Sequence, residues 1–232
     1  MHGNRLVLCV ALVTWGLLGG AAMARADDEA QLYPVSDAMP DSGIATADPP
    51  PGYVGFCMRF QDQCDDARSG PATVVLTPAR WRDILYVNWI FNRTIRPMTD
   101  LEHYGRQEYW TIPRDGYGDC EDYALAKRAS LIHGGFPAAA LRIAVARLPN
   151  GEGHAVLTVI TDQGDYVLDN RMDQVVSWRA MDYQWIERQD RTRTSGWVYL
   201  QRPRDDVITA DIAPAKDVPL ETGDDGTMAP AK

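Results

Sequence analysis

The sequence predicts an α+β domain in which helices pack against one antiparallel sheet. Two segments with helical spacing of apolar residues come first, at about 78–93 and 120–133. Segments rich in β-branched residues follow after Pro137, and turns of only a few residues separate them. Helices followed by closely spaced strands are typical of a domain whose helices cover one antiparallel sheet.

The first helix follows Leu76. Thr77 can cap its N-terminus, and Pro78 suits the first helical position because that position needs no N–H donor. Apolar side chains then recur at helical spacing until about Arg93, and they are Trp81, Ile84, Leu85, Trp89 and Ile90. We interpret this stripe as the face that packs on the core, although an aromatic stripe can also hold a ligand.

The second helix is predicted by the segment GDCEDYALAKRASLIHGG, residues 118–135. Asp119 stands at the N-cap position, and two glycines end the helix. Cys120 therefore occupies about the first helical position, where unpaired N–H groups and the helix dipole favour a thiolate. The flanking acids Asp119 and Glu121 can either cap the helix and favour its dipole, or turn away and bind a cation.

The strands begin after Pro137. Residues 140–148 and 153–161 predict an antiparallel hairpin, because a short turn with proline and glycine separates two runs of β-branched residues. Further strands are expected at Tyr166–Leu168, Gln174–Trp178 and Trp197–Gln201.

Two polar residues lie at strand ends in this scheme. His154 opens the second strand of the hairpin and Asp169 follows the third strand, so both fall at one end of the sheet. If the second helix starts at this same end, Cys120 supplies a nucleophile, His154 a base and Asp169 a carboxylate that orients the imidazole. A histidine at a strand start is, however, more often an ordinary surface residue.

The other histidines are weaker candidates for the base. His133 lies in the last helical turn, where a cation is favourable at the negative end of the helix dipole. His103 belongs to the polar loop Asp100–His103, and His2 lies in the N-terminal leader.

The N-terminus has the residue order of a secretory signal peptide. Arg5 precedes the apolar run Leu6–Ala22, and Ala24-Arg25-Ala26 supplies the small residues of a cleavage site. We expect residues 1–26 to be removed and the remainder to be exported to an oxidising compartment. An uncleaved N-terminal anchor is the alternative.

The exported chain would hold an odd number of cysteines. Cys57 and Cys64 are close in sequence, so we predict that they form a disulfide and leave Cys120 free. A zinc site made from cysteines and His154 is the alternative, but the spacing matches no common zinc pattern.

Composition limits the partners and the folded region. The formal net charge is −9 over 232 residues, and such a chain lacks the basic excess that binding to nucleic acid requires. Residues 27–52 and 203–232 are rich in acidic residues, alanine and proline, and we predict that both are disordered. The folded domain is predicted at residues 53–202, and we expect it to be monomeric.

Three segments resemble the bacterial transglutaminase-like cysteine proteinases, the LapG-like periplasmic proteases. They are YWTIPRDGYGDCEDYALAKRASLIHGG, LRIAVARLPNGEGHAVLTV and YVLDN, in the family's order, and the resemblance covers about residues 53–200. It implies a papain/transglutaminase-like fold with the nucleophile Cys120 at a helix N-terminus, His154 as the general base and Asp169 as the orienting acid. It also implies a calcium site made by Asp119 and Glu121.

The resemblance further implies a periplasmic, calcium-dependent cysteine endopeptidase. Such enzymes cleave a large biofilm adhesin retained at the cell surface, and an inner-membrane receptor for cyclic di-GMP sequesters them. The acidic tail after Pro203 goes beyond the family's core pattern. The same three residues would also suit a transglutaminase or a cell-wall peptide amidase, and a non-catalytic periplasmic binding module with an incidental thiol is the third possibility.

Overall fold

The computed structural model describes residues 33–40, 45–65, 70–190, 193 and 195–200. The chain divides into two units, Met1–Tyr33 and Pro34–Lys232, and the fold below belongs to the second. The predicted signal peptide, residues 1–26, and the predicted acidic tail, residues 203–232, lie outside the described residues.

The main helices precede the central strands, as predicted. The helices are α1 (Pro51–Arg59), α2 (Pro78–Thr94), α3 (Asp100–Tyr104) and α4 (Cys120–His133). The strands are β1 (Thr46–Ala47), β2 (Arg96–Pro97), β3 (Tyr117–Gly118), β4 (Leu141–Arg147), β5 (Gly153–Thr161), β6 (Gly164–Leu168), β7 (Val176–Ser177), β8 (Gln184–Gln189) and β9 (Trp197–Tyr199). None of the described helices is both long and apolar enough to cross a membrane.

Within the described residues, seven of these strands form one sheet in the order β1-β9-β8-β4-β5-β6-β7. Every neighbouring pair in it is antiparallel. The predicted hairpin is its centre, with β4 and β5 in register from the pair Leu141 and Val159 to the pair Arg147 and Gly153. Helix α4 packs across β5 and against α2. The predicted α+β class is confirmed.

Apolar side chains cover both faces of the sheet. Ile143 and Ala155 lie on the face that α4 covers, where they pack in one cluster with Leu125. Ala144 and Val156, one residue further along each strand, pack in a second cluster on the opposite face. This alternation follows from the two-residue period of a strand, and it leaves the central strands almost completely buried.

Strand β8 is not predicted by the sequence pattern. Its sequence QWIERQ carries three buried polar residues, Glu187, Arg188 and Gln189. Gln189 Oε1 accepts a hydrogen bond from Ile143 N at 2.8 Å, and Arg188 forms an ion pair with Asp165 at 3.1 Å. Arg188 and Gln189 thus find polar partners inside the protein, and with three consecutive buried polar residues the strand lacks the alternation of apolar and polar residues that sequence patterns detect.

The aromatic stripe of α2 is only partly buried. Trp81 and Ile84 lie in the core as predicted, but Trp89 is 41% exposed and its ring faces the Arg93 guanidinium at 5.2 Å. The polar residue Asn88 is fully buried in its place. The prediction that Trp89 packs in the core is therefore wrong, because α2 turns the Asn88 amide inward to satisfy backbone carbonyls at 172 and 173.

The prediction that residues 27–52 are disordered is wrong for their described part. Met39 is 1% exposed and packs in the cluster on the face of the sheet opposite α4. Its backbone N–H donates to Asp165 Oδ2 at 2.9 Å, and β1 pairs with β9. The buried side chains of Met39 and Ala47 and the hydrogen bonds to distant residues order this segment, and composition reveals neither kind of contact.

The predicted disulfide is confirmed. Cys57 in α1 is bonded to Cys64 in the turn that follows, with the two Cα atoms 5.6 Å apart. Among the described residues, Cys120 is the free cysteine.

The buried position of Met39 predicts a large effect on stability. Met39→Ala should lower the free energy of unfolding by about 2–5 kcal/mol, because it leaves a cavity against the sheet. Urea denaturation measures this loss. Met58→Ala is the matched control, since Met58 is 75% exposed and its truncation should change stability by less than about 0.5 kcal/mol. Equal effects of the two substitutions would show that the segment around Met39 is not packed on the sheet.

Candidate active site

Three elements meet at the candidate site. Helix α4 begins at Cys120, His154 is the second residue of β5, and Asp169 directly follows β6. The packing of α4 on β5 brings the first two elements into contact. The backbone N–H of Ala155 donates to Cys120 Sγ at 3.4 Å, so the residue next to His154 touches the sulfur.

His154 and Asp169 form a buried pair. His154 Nε2 lies 2.9 Å from Asp169 Oδ1, and their side chains are 5% and 0% exposed. Asp169 also accepts hydrogen bonds from Arg171 N at 2.9 Å and from the Tyr183 hydroxyl at 2.5 Å. Burial alone would raise the pKa of Asp169, but the hydrogen bonds and the charge of His154 outweigh it, so the pKa lies below its ordinary value. Asp169 therefore stays an anion beside the imidazole.

A carboxylate holds the Cys120 thiol. Sγ donates to Glu121 Oε2 at 3.0 Å, and within the described part of the chain no hydrogen bond joins Sγ to His154. Burial, and then the charge and hydrogen bond of Glu121, raise the pKa of Cys120 well above its ordinary value. Because His154 Nε2 is bound to Asp169, Nδ1 is the ring nitrogen left for the sulfur.

Asp100, Asp119 and Glu121 form an acidic cluster beside the thiol. One carboxylate oxygen from each lies within 4.8 Å of the others. Asp100 and Glu121 are buried, and neither Asp100 Oδ1 nor Asp119 Oδ1 has a hydrogen-bond partner among the described residues. Desolvation and the charge of Asp100 raise the pKa of Asp119 to about 6. Desolvation and the charge of Asp119 raise the pKa of Glu121 well above its ordinary value.

The acidic cluster has the donor set of a divalent-cation site. Calcium takes oxygen ligands, and two of these three carboxylates present oxygens that nothing else in the described chain satisfies. Like charges this close together disfavour one another's ionisation, and a bound cation reverses that effect. The three carboxylates therefore repel one another when no cation is bound, and their oxygens suit a calcium ion.

The structure distinguishes between the two roles that the sequence leaves open for Asp119. Its backbone occupies the N-cap position of α4, but its side chain makes no capping hydrogen bond. Oδ2 instead accepts from Asp100 N at 3.2 Å, so the carboxylate turns into the acidic cluster. This orientation favours the cation over the cap.

Residues 43–205 match a protein-family model described as bacterial transglutaminase-like cysteine proteinase BTLCP. The chain belongs to this family. The matched region contains the seven-stranded sheet, the four α-helices of the described residues, and Cys120, His154 and Asp169. The family resemblance of the three sequence segments is thus confirmed.

Solved structures of LapG from Legionella pneumophila are similar to this member of the family. One is 28% identical, covers 47% of this chain and 64% of its own, and has a TM-score of 0.42. An EGTA-treated structure is also 28% identical, with coverages of 47% and 62% and a TM-score of 0.42. A calcium-bound structure is 24% identical, with coverages of 57% and 76% and a TM-score of 0.45. This chain thus spans less than two thirds of the first two LapG chains. Among curated protein sequences, none matches it.

Two residues of the site, Asp100 and Tyr183, are not predicted by the sequence pattern. Asp100 comes close to Asp119 because β2 and β3, each of two residues, pair in parallel just before them. The Thr99 and Glu102 capping box marks the start of α3, but nothing in the sequence pattern marks the pairing of β2 with β3.

Tyr183 lies in the irregular segment before β8 and contacts Asp169 across 14 residues of chain. No motif signals either contact.

Among the described residues, neither of the other two histidines forms a hydrogen bond with His154 or Asp169. His103 Nε2 is 2.8 Å from the exposed carboxylate of Asp115. His133 is exposed at the end of α4, on the helix whose start carries Cys120. Neither makes a hydrogen bond to the sulfur in the described chain.

The glycine of the GDCEDYA segment leaves room for a buried carboxylate. A Cβ at Gly118 would lie 2.7 Å from both Cβ and Oδ2 of Asp122. Asp122 is fully buried, and its Oδ1 accepts a hydrogen bond from Thr111 N at 2.7 Å. Gly118 therefore allows Asp122 to join the start of α4 to the chain before it.

Gly118→Ala should lower the free energy of unfolding by about 1–3 kcal/mol, because the new methyl group displaces the Asp122 carboxylate. Denaturant unfolding measures the loss. Gly134→Ala is the control, since a Cβ there meets its nearest neighbour at an ordinary 3.4 Å. If Gly118→Ala is as stable as Gly134→Ala, this account of the motif glycine is wrong.

Proposed function

We propose that this chain is an exported, calcium-dependent cysteine endopeptidase. Cys120 is the nucleophile, His154 the general base and Asp169 the acid that orients the imidazole. The observation that carries the proposal is the buried 2.9 Å contact between His154 and Asp169, next to Ala155, whose N–H touches Cys120 Sγ, in a chain of a cysteine proteinase family.

The reaction begins with transfer of the thiol proton to His154 Nδ1 and attack of Sγ on a peptide carbonyl carbon. The backbone N–H of Cys120 lies in the first turn of α4, where a helix provides no carbonyl partner for its N–H groups, and it stabilises the negative charge on the carbonyl oxygen. His154 then gives its proton to the leaving amine, and a thioester joins the acyl group to Cys120. Water, deprotonated by His154, hydrolyses that thioester and returns the thiol.

Asp169 supports each of these proton transfers without accepting a proton. Its Oδ1 holds the Nε2–H of His154, so Nδ1 is free of a proton in the neutral ring and faces the reaction as a base. The imidazolium that forms during the reaction is stabilised by the same carboxylate. Two further donors, Arg171 N and the Tyr183 hydroxyl, favour the ionised form of Asp169.

Calcium is the cofactor of the proposal, with Asp100, Asp119 and Glu121 as ligands. The unpartnered oxygens of the acidic cluster support this assignment. When bound, the cation supplies positive charge that offsets the carboxylates around the thiol. The chain's part is to hold the three carboxylates at the start of α4, where α3 and the N-cap of α4 meet.

The N-terminal leader and the family resemblance support a proposal for the substrate and the compartment. We infer a periplasmic enzyme that cleaves an exported protein, such as a biofilm adhesin retained at the cell surface. The leader pattern supports export, and the Cys57–Cys64 disulfide fits an oxidising compartment. The proposed regulatory partner is an inner-membrane receptor that senses cyclic di-GMP and sequesters the enzyme.

Proteolysis is tested by co-expressing the chain with candidate exported adhesins. A new N-terminus should form on the adhesin and should vanish with Cys120→Ser, because a hydroxyl at this position is not activated as a thiol is. N-terminal sequencing or mass spectrometry of the adhesin detects it. Cleavage that persists in Cys120→Ser contradicts the assignment of the nucleophile. Amine addition to glutamine without a new N-terminus would instead make the chain a transglutaminase.

The calcium site is tested by thermal unfolding of the metal-free protein. At one hundred times the dissociation constant, calcium should stabilise the fold by about 3 kcal/mol and raise the melting temperature by about 5–10 °C. Asp119→Asn should abolish this rise. Asp115→Asn is the control, since Asp115 is exposed and pairs with His103 outside the cluster. An equal rise in wild type and Asp119→Asn contradicts the metal site and leaves the roles of Cys120 and His154 untouched.

A further inference from the structure

Tyr183 contacts both members of the His154 and Asp169 pair. Its hydroxyl donates to Asp169 Oδ2 at 2.5 Å. Its ring meets the imidazole of His154 edge to face, with the ring centres 5.7 Å apart and the planes at 83°. One side chain thus touches the carboxylate and the base together.

The hydroxyl of Tyr183 completes the hydrogen bonding of the carboxylate. Oδ1 of Asp169 accepts from His154 Nε2 and from Arg171 N, and Oδ2 accepts from Tyr183. With donors on both oxygens, the carboxylate cannot rotate without losing a hydrogen bond to a charged group. Without Tyr183, one oxygen of a fully buried anion would lose its donor.

The surroundings hold Tyr183 and the Asp169 backbone in place independently of each other. Tyr183 packs edge to face on Trp185 at 5.7 Å, and Trp185 packs on Trp178 at 6.5 Å. On the other side, Asn92 Nδ2 of α2 donates to the backbone carbonyl of Asp169 at 2.9 Å. The hydroxyl and the carboxylate are therefore presented to each other by separate parts of the fold.

We propose that Tyr183 is a positioning residue for His154: its hydroxyl fixes the carboxylate of Asp169 so that Oδ1 faces Nε2, and its ring shields that hydrogen bond from water. The inference rests on the proposed function, in which Asp169 orients the imidazole. A fixed Nε2–H places the proton on the far side of the ring, which leaves Nδ1 for the thiol. Exclusion of water strengthens the hydrogen bond because the local dielectric is low.

Proton NMR of the full chain carrying Cys120→Ser tests this role without any turnover. The Nε2 proton of His154, assigned by its loss in His154→Gln, should give a downfield resonance that exchanges slowly with water. Tyr183→Phe keeps the ring and removes the hydroxyl, so the resonance should shift and exchange about tenfold to a hundredfold faster. Tyr183→Leu also removes the aromatic shield, so its exchange should be faster still.

Tyr166→Phe is the matched control. It also removes a hydroxyl from a buried tyrosine, whose donation to the Pro34 carbonyl at 2.8 Å lies away from His154. A merely structural role of Tyr183 predicts that both phenylalanine variants lower the melting temperature and leave the Nε2 resonance unchanged. That result overturns the proposal, whereas a shift confined to Tyr183→Phe supports it.

A second measurement needs no substitution of Tyr183. In the folded Cys120→Ser chain, the Tyr183 hydroxyl proton should itself exchange slowly and show a nuclear Overhauser effect to the Nε2 proton of His154. Absence of both signals in the folded chain overturns the proposal even if Tyr183→Phe fails to fold. If the resonances behave as expected but Cys120 cleaves no exported protein, the proposed function fails while the positioning by Tyr183 stands.

Discussion

The contact between the start of α4 and the start of β5 is the constraint on which the rest of the site depends. Ala155 N donates to Cys120 Sγ, and the same two elements share a buried apolar cluster through Leu125 and Ala155. Because β5 also pairs with both β4 and β6, the helix start is tied to the interior of the sheet. Asp169 follows β6 and thereby reaches His154 at the same end. A catalytic arrangement thus arises from sheet pairing and one helix packing.

The second constraint on the site is the negative charge of the carboxylates around the Cys120 thiol. A helix start favours a thiolate, yet burial opposes one, and the charges of Glu121 and Asp119 beside Cys120 oppose it further. The acidic cluster carries its own cost, since Asp100 and Asp119 each keep an oxygen for which the described residues provide no donor. A single cation would offset both costs. Calcium binding would therefore favour the thiolate that the peptidase proposal requires. The metal site and the catalytic roles are still tested by separate experiments.

Local sequence patterns predict the parts of this fold that local physics determines. Helix α2 has a capping threonine and apolar residues at helical spacing, helix α4 ends at a glycine, and the β4–β5 hairpin has β-branched strands around a turn. The Cys57–Cys64 disulfide follows from proximity in sequence. The strand-end positions also lead to the expectation that His154 and Asp169 are neighbours, and in the structure they are in contact. Their catalytic roles stay a prediction.

What the sequence does not predict depends on distant partners. Met39 is ordered by a cluster on the sheet and by Asp165, and β8 is ordered by buried polar pairs. Asp100 joins the acidic cluster through a two-residue strand pairing, and Tyr183 reaches Asp169 from an irregular segment. None of these contacts produces a periodic pattern in the sequence, because each one joins side-chain or backbone groups that are far apart along the chain.

The most direct test of the account is a crystal structure of the calcium-loaded protein at neutral pH. The account predicts a cation bound by Asp100, Asp119 and Glu121, with His154 Nδ1 within hydrogen-bond reach of Cys120 Sγ. An imidazole that stays out of reach of the sulfur, with Glu121 still bound to the thiol, would contradict it.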